Sequence, residues 1–128
     1  MNVGQVFSLE REFTPEDVHL FSQLSGDHAV HHQQPNEAGQ YMVHGLLTSC
    51  LPTQLGQKLN YLVRESFSEY LRPVFTGHLI QCTFKITENE PHKRGAQIRA
   101  TFECRNPAGD IVLQGWTTGV VLTPFSPQ

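Results

Sequence analysis

The spacing of apolar residues along the chain changes near residue 60 from a helical period to a period of two. Before that point the apolar positions mostly recur every three or four residues, which is typical of amphipathic helices. After it they alternate with polar positions, which is typical of strands with one buried face. One earlier strand is predicted over residues 5–13, where phenylalanine and leucine alternate with polar neighbours.

Two helices are predicted in the first half of the chain. The segment Thr14–Asp17 combines an N-cap, a proline suited to the first turn and acidic residues, so it predicts a short helix over about 15–25. A second helix begins near His44, because leucines recur every four residues from Leu47 to Leu59. Its wide apolar face predicts burial, and Pro52 inside it predicts a kink or break.

The second half predicts four strands in a meander. A charged hairpin turn is expected over residues 88–95, and a turn at 106–110 precedes the last strand. Trp116 is expected to fill the core, and the tail at 124–127 is expected to fray. The predicted strands are residues 62–75, broken near Pro73, then 80–86, 96–104 and 111–122.

One long apolar helix and a curled antiparallel sheet predict an α+β domain in which about five strands wrap the helix. The 128 residues suit a single domain over 1–128. One helix covers only part of such a sheet, so an exposed apolar edge favours a homodimer. The three cysteines are odd in number and form no CxxC pair, which indicates reduced thiols that serve as small core residues. They are Cys50, Cys82 and Cys104.

Charge and hydropathy exclude several classes of partner. The net charge is −3, and the nine Lys and Arg residues are spread along the chain, so no nucleic-acid surface is expected. The longest stretch without a charged residue, 38–57, is too polar to span a membrane. Residues 1–13 show no basic segment followed by an apolar run, so no secretory leader is expected. Together with the reduced thiols, these features predict a cytoplasmic protein.

Seven histidines are many beside a charged fraction of 16%, and four of them fall between His28 and His44. Asp27 and His32 are the first candidates for chemistry. On a helix they would point about 140° apart, but on a tight loop after Gly26 they meet. A carboxylate beside an imidazole holds and polarises a water. Equally, the aspartate serves as a turn residue on a solvated loop.

Gly45 stands at the predicted start of the buried helix. The first N–H groups of a helix have no intrahelical partner and carry partial positive charge. A glycine lets a ligand approach such an N–H closely, and the N–H can stabilise a thioester oxygen that gains negative charge. The alternative is that Gly45 is needed only for close packing of the helix on the sheet. Both readings stay open on the sequence.

Five segments, taken together and in their order along the chain, form a more specific pattern than any one of them alone. They are Phe13–Val18, Leu24–Asp27, His32, Val43–Leu46 and Leu71–Gly77. These motifs resemble those of MaoC-like hotdog proteins, the family of (R)-specific enoyl-CoA hydratases and 3-hydroxyacyl thioester dehydratases. The resemblance covers nearly the whole chain.

The resemblance implies a hotdog fold with a long central helix, dimerised through sheet edges. It implies that Asp27 and His32 hold a water, either being the base, and that the Gly45 N–H binds the thioester carbonyl. The reaction is reversible hydration of a trans-2-enoyl thioester of CoA or acyl carrier protein to the (R)-3-hydroxyacyl thioester, without metal or redox cofactor. The acyl chain lies along the buried helix. The implied substrate contacts are Val30, Val43, His44 and Leu46.

The chain departs from the family pattern at four places. Ala29-Val30 stand where the family usually has Asn-Pro, and His78 stands where it has an acid. Pro52 in the central helix is unusual, and the segment 33–42 is short. Because that segment normally helps to wall the acyl pocket, these departures bear on chain-length preference.

Three other functions stay open. His28 and His32 are four residues apart, with His31 and His44 nearby, and zinc takes histidines at such spacing, although the surroundings predict a loop and no cysteine joins them. A hotdog thioesterase needs a carboxylate near the start of the buried helix, where Glu37 is the only acid. A non-catalytic acyl-thioester binding module keeps the pocket without turnover.

Overall fold

A computed structural model describes residues 1–123, which form one five-stranded sheet, a small two-stranded sheet and four helices. The predicted fraying of residues 124–127 lies outside the described residues. The strands are β1 (Val6–Glu12), β2 (Met42–Val43), β3 (Tyr61–Tyr70), β4 (Val74–Phe75), β5 (Leu79–His92), β6 (Gly95–Arg105) and β7 (Ile111–Leu122). The helices are α1 (Pro15–Ser25), α2 (Val30–Gln33), α3 (Gly45–Thr48) and α4 (Cys50–Gln57).

The five-stranded sheet is antiparallel and has the strand order β1-β5-β6-β7-β3. The predicted meander is wrong at β3, which pairs with β7 rather than with the next long strand. The reason lies in the break that the sequence predicted near Pro73. There the chain leaves β3 and enters β4, which pairs with β2, so that β5 starts beside β1 at the other side of the sheet.

The hairpin between β5 and β6 is tighter than predicted. Strand β5 continues to His92, and β6 begins at Gly95, so the charged residues expected in a long turn belong mostly to the ladder. A register shift between Ile86 and Glu88 accompanies this extension. Backbone hydrogen bonds pair the two strands at this end of the hairpin. These bonds form without alternating apolar residues, so the apolar pattern did not predict this part of the strands.

The central helix consists of two segments, α3 and α4, separated at Ser49. Pro52 has no N–H to donate to the carbonyl four residues earlier, which accounts for the predicted irregularity. Leu51 and Leu55 are completely buried against the sheet. The opposite side faces outward, so Leu46 is 65% exposed, and the prediction that Cys50 is a core residue is wrong.

The core lies between this helix and the inner face of the sheet. Alternate residues of β5 and β6 point inward, which is the period of two expected for half-buried strands. Cys82 and Cys104 are buried there as predicted, as directly opposed partners on neighbouring strands. Trp116 is not a core residue: it is half-buried beside Phe67, and the guanidinium of Arg99 lies 4.4 Å from its ring.

The helices of residues 1–123 are short. The longest, α1, has 11 residues, and none is long and apolar enough to cross a membrane.

Candidate active site

The structure brings Asp27, on the loop after α1, together with His32, which lies in the short helix α2 rather than on the loop that the sequence predicted. Gly26 ends the helix in a left-handed conformation with φ 79°, and its N–H donates to the carbonyl of Ser22. Asp27 Oδ1 then accepts a hydrogen bond of 3.1 Å from the N–H of Ala29, one residue before α2. As a result, the buried His32 in α2 places Nε2 3.7 Å from Asp27 Oδ2.

The proton on His32 is positioned by the backbone. Its Nδ1 lies 2.8 Å from the carbonyl oxygen of Met42, which can only accept, so Nδ1 carries the hydrogen and Nε2 of the neutral ring presents a lone pair. The hydrogen bond from Ala29 lowers the pKa of the half-exposed Asp27 carboxyl, and the neighbouring histidines add to this effect. Two acceptors therefore face each other beyond hydrogen-bond distance. A water that donates one hydrogen to each would join them.

His44 is buried behind His32, and the two rings are stacked with centroids 3.8 Å apart. Its Nε2 lies 3.2 Å from the backbone oxygen of Asp27 and 3.0 Å from Ser22 Oγ. Because that carbonyl only accepts, Nε2 carries the hydrogen, and the buried Nδ1 has no hydrogen-bond partner among the described residues. Burial lowers the pKa of His44, so the ring that supports His32 is uncharged at neutral pH.

Gly45 is the first residue of α3, so its N–H has no acceptor within the helix. The ring of Tyr70 packs directly against the glycine: a Cβ at position 45 would lie 2.8 Å from Tyr70 Cε1. Both interpretations of Gly45 thus have a physical basis. The Tyr70 ring leaves no room for a side chain, and the start of α3 leaves the Gly45 N–H without an acceptor in the helix.

Two neighbouring cavities meet at Gly45 and Tyr70. One, of about 550 Å³, is lined by His32 and Val43 among others. The second, of about 210 Å³, is lined by Asp27, His44 and Leu46 among others. Four of the five residues expected to touch the substrate or its carbonyl, Val43, His44, Gly45 and Leu46, thus line the space beside the dyad. The fifth, Val30, is 68% exposed at the start of α2.

The structure also places the residues of the two alternative sites, the histidine metal site and the thioesterase carboxylate. Helix α2 begins only at Val30, so the exposed His28 does not share a helix face with His32. Within residues 1–123, the possible metal ligands are Asp27, His32 and His44, whose donor atoms lie within 4.8 Å of one another. Glu37, the candidate carboxylate of a thioesterase, is exposed on a turn between residues 36 and 40.

Sequence reasoning missed three participants in this site. Ser22 is buried and receives hydrogen bonds from Gln33 Nε2 and the His44 ring, which ties α1 to α2 and α3. Its spacing of four residues from the buried Val18 was a usable signal, because it is a polar residue on the buried face of α1. No pattern in the neighbouring sequence indicated a role for the Met42 carbonyl or Tyr70, since both reach the site through tertiary packing.

Several solved structures share this fold. An (R)-hydratase from A. caviae involved in PHA biosynthesis is 22% identical over 94% of this chain and 97% of that chain, with a TM-score of 0.81. The R-hydratase PhaJ1 from Pseudomonas aeruginosa is 20% identical over 100% of this chain and 92% of that chain, with a TM-score of 0.79. A MaoC-like dehydratase from Rhodospirillum rubrum is 15% identical over 98% and 96%, with a TM-score of 0.72.

No protein-family profile matches the sequence, and neither does a curated protein. At these identities the likeness to solved structures establishes the fold alone. The predicted α+β hotdog fold is confirmed, and it is the fold of MaoC-like proteins.

Proposed function

We propose that the protein hydrates trans-2-enoyl thioesters of CoA or acyl carrier protein to (R)-3-hydroxyacyl thioesters, and catalyses the reverse dehydration. The observation that carries the proposal is the pair of facing acceptors, His32 Nε2 and Asp27 Oδ2, 3.7 Å apart beside the free N–H of Gly45. The hydratases and dehydratase among the solved structures of the same fold support it.

In the proposed reaction, a water donates one hydrogen to His32 Nε2 and the other to Asp27 Oδ2. Its oxygen attacks C3 of the enoyl thioester while Nε2 takes the proton, and the negative charge moves to the thioester oxygen. The Gly45 N–H stabilises that oxygen, as a backbone donor does in an oxyanion hole. The imidazolium then delivers its proton to C2 on the same face, which completes syn addition of water. His32 is thus base and then acid, and Asp27 orients the water.

The uncharged His44 supports this division of roles. A second positive charge stacked on His32 would disfavour the imidazolium that forms during the reaction. Burial keeps His44 neutral, and the hydrogen bonds from its Nε2 fix the loop that carries Asp27. His44 therefore acts as a positioning residue on the side of His32 away from the solvent.

The active unit in this proposal is a homodimer. In the described chain, β3 has a neighbouring strand on one side only, and apolar side chains such as Leu62, Val63 and Phe67 are exposed along it. An edge strand of this kind offers unpaired backbone groups to a second copy. The pantetheine arm would enter between the two subunits.

The decisive experiment follows the enoyl absorbance of crotonyl-CoA with purified protein. We expect the absorbance to fall with wild-type protein, and kcat to drop about 10²- to 10⁴-fold in Asp27→Asn and in His32→Ala, because each loses a contact to the reacting water. His28→Ala, an exposed histidine on the same loop, is the matched control and should keep full activity.

Four outcomes would contradict the proposal. An Asp27→Asn, His32→Ala double variant that retains activity would show that the dyad does not catalyse hydration. Release of free CoA without hydration would favour a thioesterase, and tight binding without turnover would favour a binding module. A stoichiometric metal ion in the purified protein would favour a metal site at Asp27, His32 and His44 over a metal-free dyad.

A further inference from the structure

A third cavity, separate from the two at the dyad, lies between α4 and the inner face of the sheet. Its volume is about 170 Å³. Most of its lining is carbon, contributed by residues that include Pro52, Gly56, Tyr61, Phe84 and Phe102. The helix break at Ser49 stands at one end of this lining, four residues beyond Gly45.

The size of this cavity limits its contents. An apolar cavity of about 150 Å³ holds a molecule of the size of benzene, which has six carbon atoms. The cavity beside α4 thus accepts roughly six carbons of an extended chain. That is enough for the five carbons beyond the double bond of a 2-octenoyl group.

A solvent-exposed hydrogen bond joins the lining of this cavity to the residues around Gly45. Ser49 Oγ, which lines the cavity, lies 2.8 Å from the hydroxyl of Tyr70. The ring of Tyr70 in turn packs on Gly45 and lines both cavities at the dyad. An acyl chain whose carbonyl is bound at Gly45 and whose tail lies beside α4 would run past Tyr70 and Ser49.

We propose that the Tyr70–Ser49 hydrogen bond is a gate that selects the acyl chain length. This inference rests on the proposed function and deepens it. With the bond closed, a four-carbon enoyl group reaches the dyad without entering the cavity. A six- or eight-carbon chain enters only when Tyr70 releases Ser49. The wild-type protein thus favours short-chain enoyl thioesters.

The test compares kcat/KM for 2-octenoyl-CoA and crotonyl-CoA. We expect Tyr70→Phe, which keeps the ring, to raise the octenoyl-to-crotonyl ratio about threefold to tenfold, the equivalent of one ordinary hydrogen bond. Ser49→Ala should give the same rise, and the double variant should give no further rise, because all three remove the same bond. Tyr41→Phe removes a hydroxyl outside these three cavities and should leave the ratio unchanged.

A second measurement separates the gate from the reaction. Calorimetric titration with saturated butyryl-CoA and octanoyl-CoA reports access to the cavity without turnover, and the same variants should tighten octanoyl-CoA binding relative to butyryl-CoA. If no enoyl thioester is hydrated but this binding pattern appears, the proposed function fails and the gate stands.

The gate itself is overturned by any of three results. These are an unchanged chain-length ratio in both single variants, additive effects in the double variant, or failure of every folded variant to bind octanoyl-CoA. Because Ser49→Ala and Tyr70→Phe alter opposite partners, misfolding of one variant leaves the other to decide.

Discussion

The direction in which His32 presents its lone pair depends on one backbone atom. The Met42 carbonyl holds the hydrogen on Nδ1, which leaves Nε2 as the acceptor that faces Asp27. A side chain at position 42 does not determine this, because only the main-chain oxygen is used. The geometry of the dyad therefore depends on where β2 places its backbone rather than on any motif residue.

Stability is expected to fall at mildly acidic pH because of His44. Burial lowers its pKa below the usual value of about 6.5, so the unfolded chain binds a proton at a pH where the folded chain does not. The free energy of unfolding should hence be highest above pH 6.5 and should fall as the pH drops through the pKa of the folded state. Urea unfolding at pH 7.5 and 5.5 measures this.

His44→Gln is the variant for that experiment, and His19→Gln, at an exposed histidine, is its control. The His44 variant should lose less stability between the two pH values than wild type, whereas the control should lose as much as wild type. Equal losses in all three proteins would rule out the buried imidazole as the cause.

The packing of Tyr70 on Gly45 gives a second prediction at the residue scale. Gly45→Ala should lower the free energy of unfolding by about 1–3 kcal/mol, because the added methyl group overlaps the Tyr70 ring. In a Tyr70→Ala background the same change should cost much less. Chemical denaturation of the four proteins gives the coupling, and simple additivity would mean that the ring is not what excludes a side chain.

At the scale of elements, the central helix shows which features the spacing of apolar residues predicts correctly and which it does not. The leucine spacing and Pro52 predicted a buried helix with an irregularity, and both features are present as α3 and α4. The width of the buried face was overpredicted, because an apolar residue costs little on the outer side and so Leu46 and Cys50 could be exposed.

Two leucines of this helix test which side packs on the sheet. Leu51→Ala should destabilise the protein by about 2–5 kcal/mol, because it leaves a cavity under a completely buried side chain. Leu46→Ala, the same substitution on the exposed side, should change the free energy of unfolding by less than about 0.5 kcal/mol. Similar losses at both positions, measured by denaturant unfolding, would place both leucines in buried surroundings.

At the scale of the whole molecule, the strand order determines which strand forms the exposed edge of the sheet. Because β3 crosses to pair with β7, a ten-residue strand with exposed apolar side chains becomes one edge of the sheet. Tyr70, the last residue of that strand, also lies against Gly45. The sheet edge and the candidate site thus share Tyr70 in this fold.

Association through that edge is the prediction at this scale. Leu62→Lys should weaken the proposed dimer, since a charge on an edge strand opposes strand pairing. Leu24→Lys, on the exposed side of α1, should have no effect. Sedimentation velocity across a concentration series checks this, and a wild-type protein that stays monomeric at every concentration would refute the dimer.

The sequence by itself determined the local elements and the chemistry available to them. The capping box at Thr14 and Asp17 starts α1, Gly26 ends it, and the alternation in β5 and β6 defines their buried faces, because each depends on neighbours along the chain. The close approach of Asp27 and His32 was also predictable, since they stand only five positions apart, although His32 lies in α2 and not on the predicted loop.

Tertiary structure alone decided the rest. Four features depend on contacts between segments that are not adjacent in sequence: the strand order, the partial exposure of Trp116, the tautomer of His32 and the contact of Tyr70 with Gly45. Alternation of apolar residues specifies which face of a strand is buried but not which strand lies beside it, because the backbone ladder is the same for every pair. The Met42 carbonyl, which sets the tautomer of His32, and Tyr70, which packs on Gly45, could therefore be identified only from the tertiary structure.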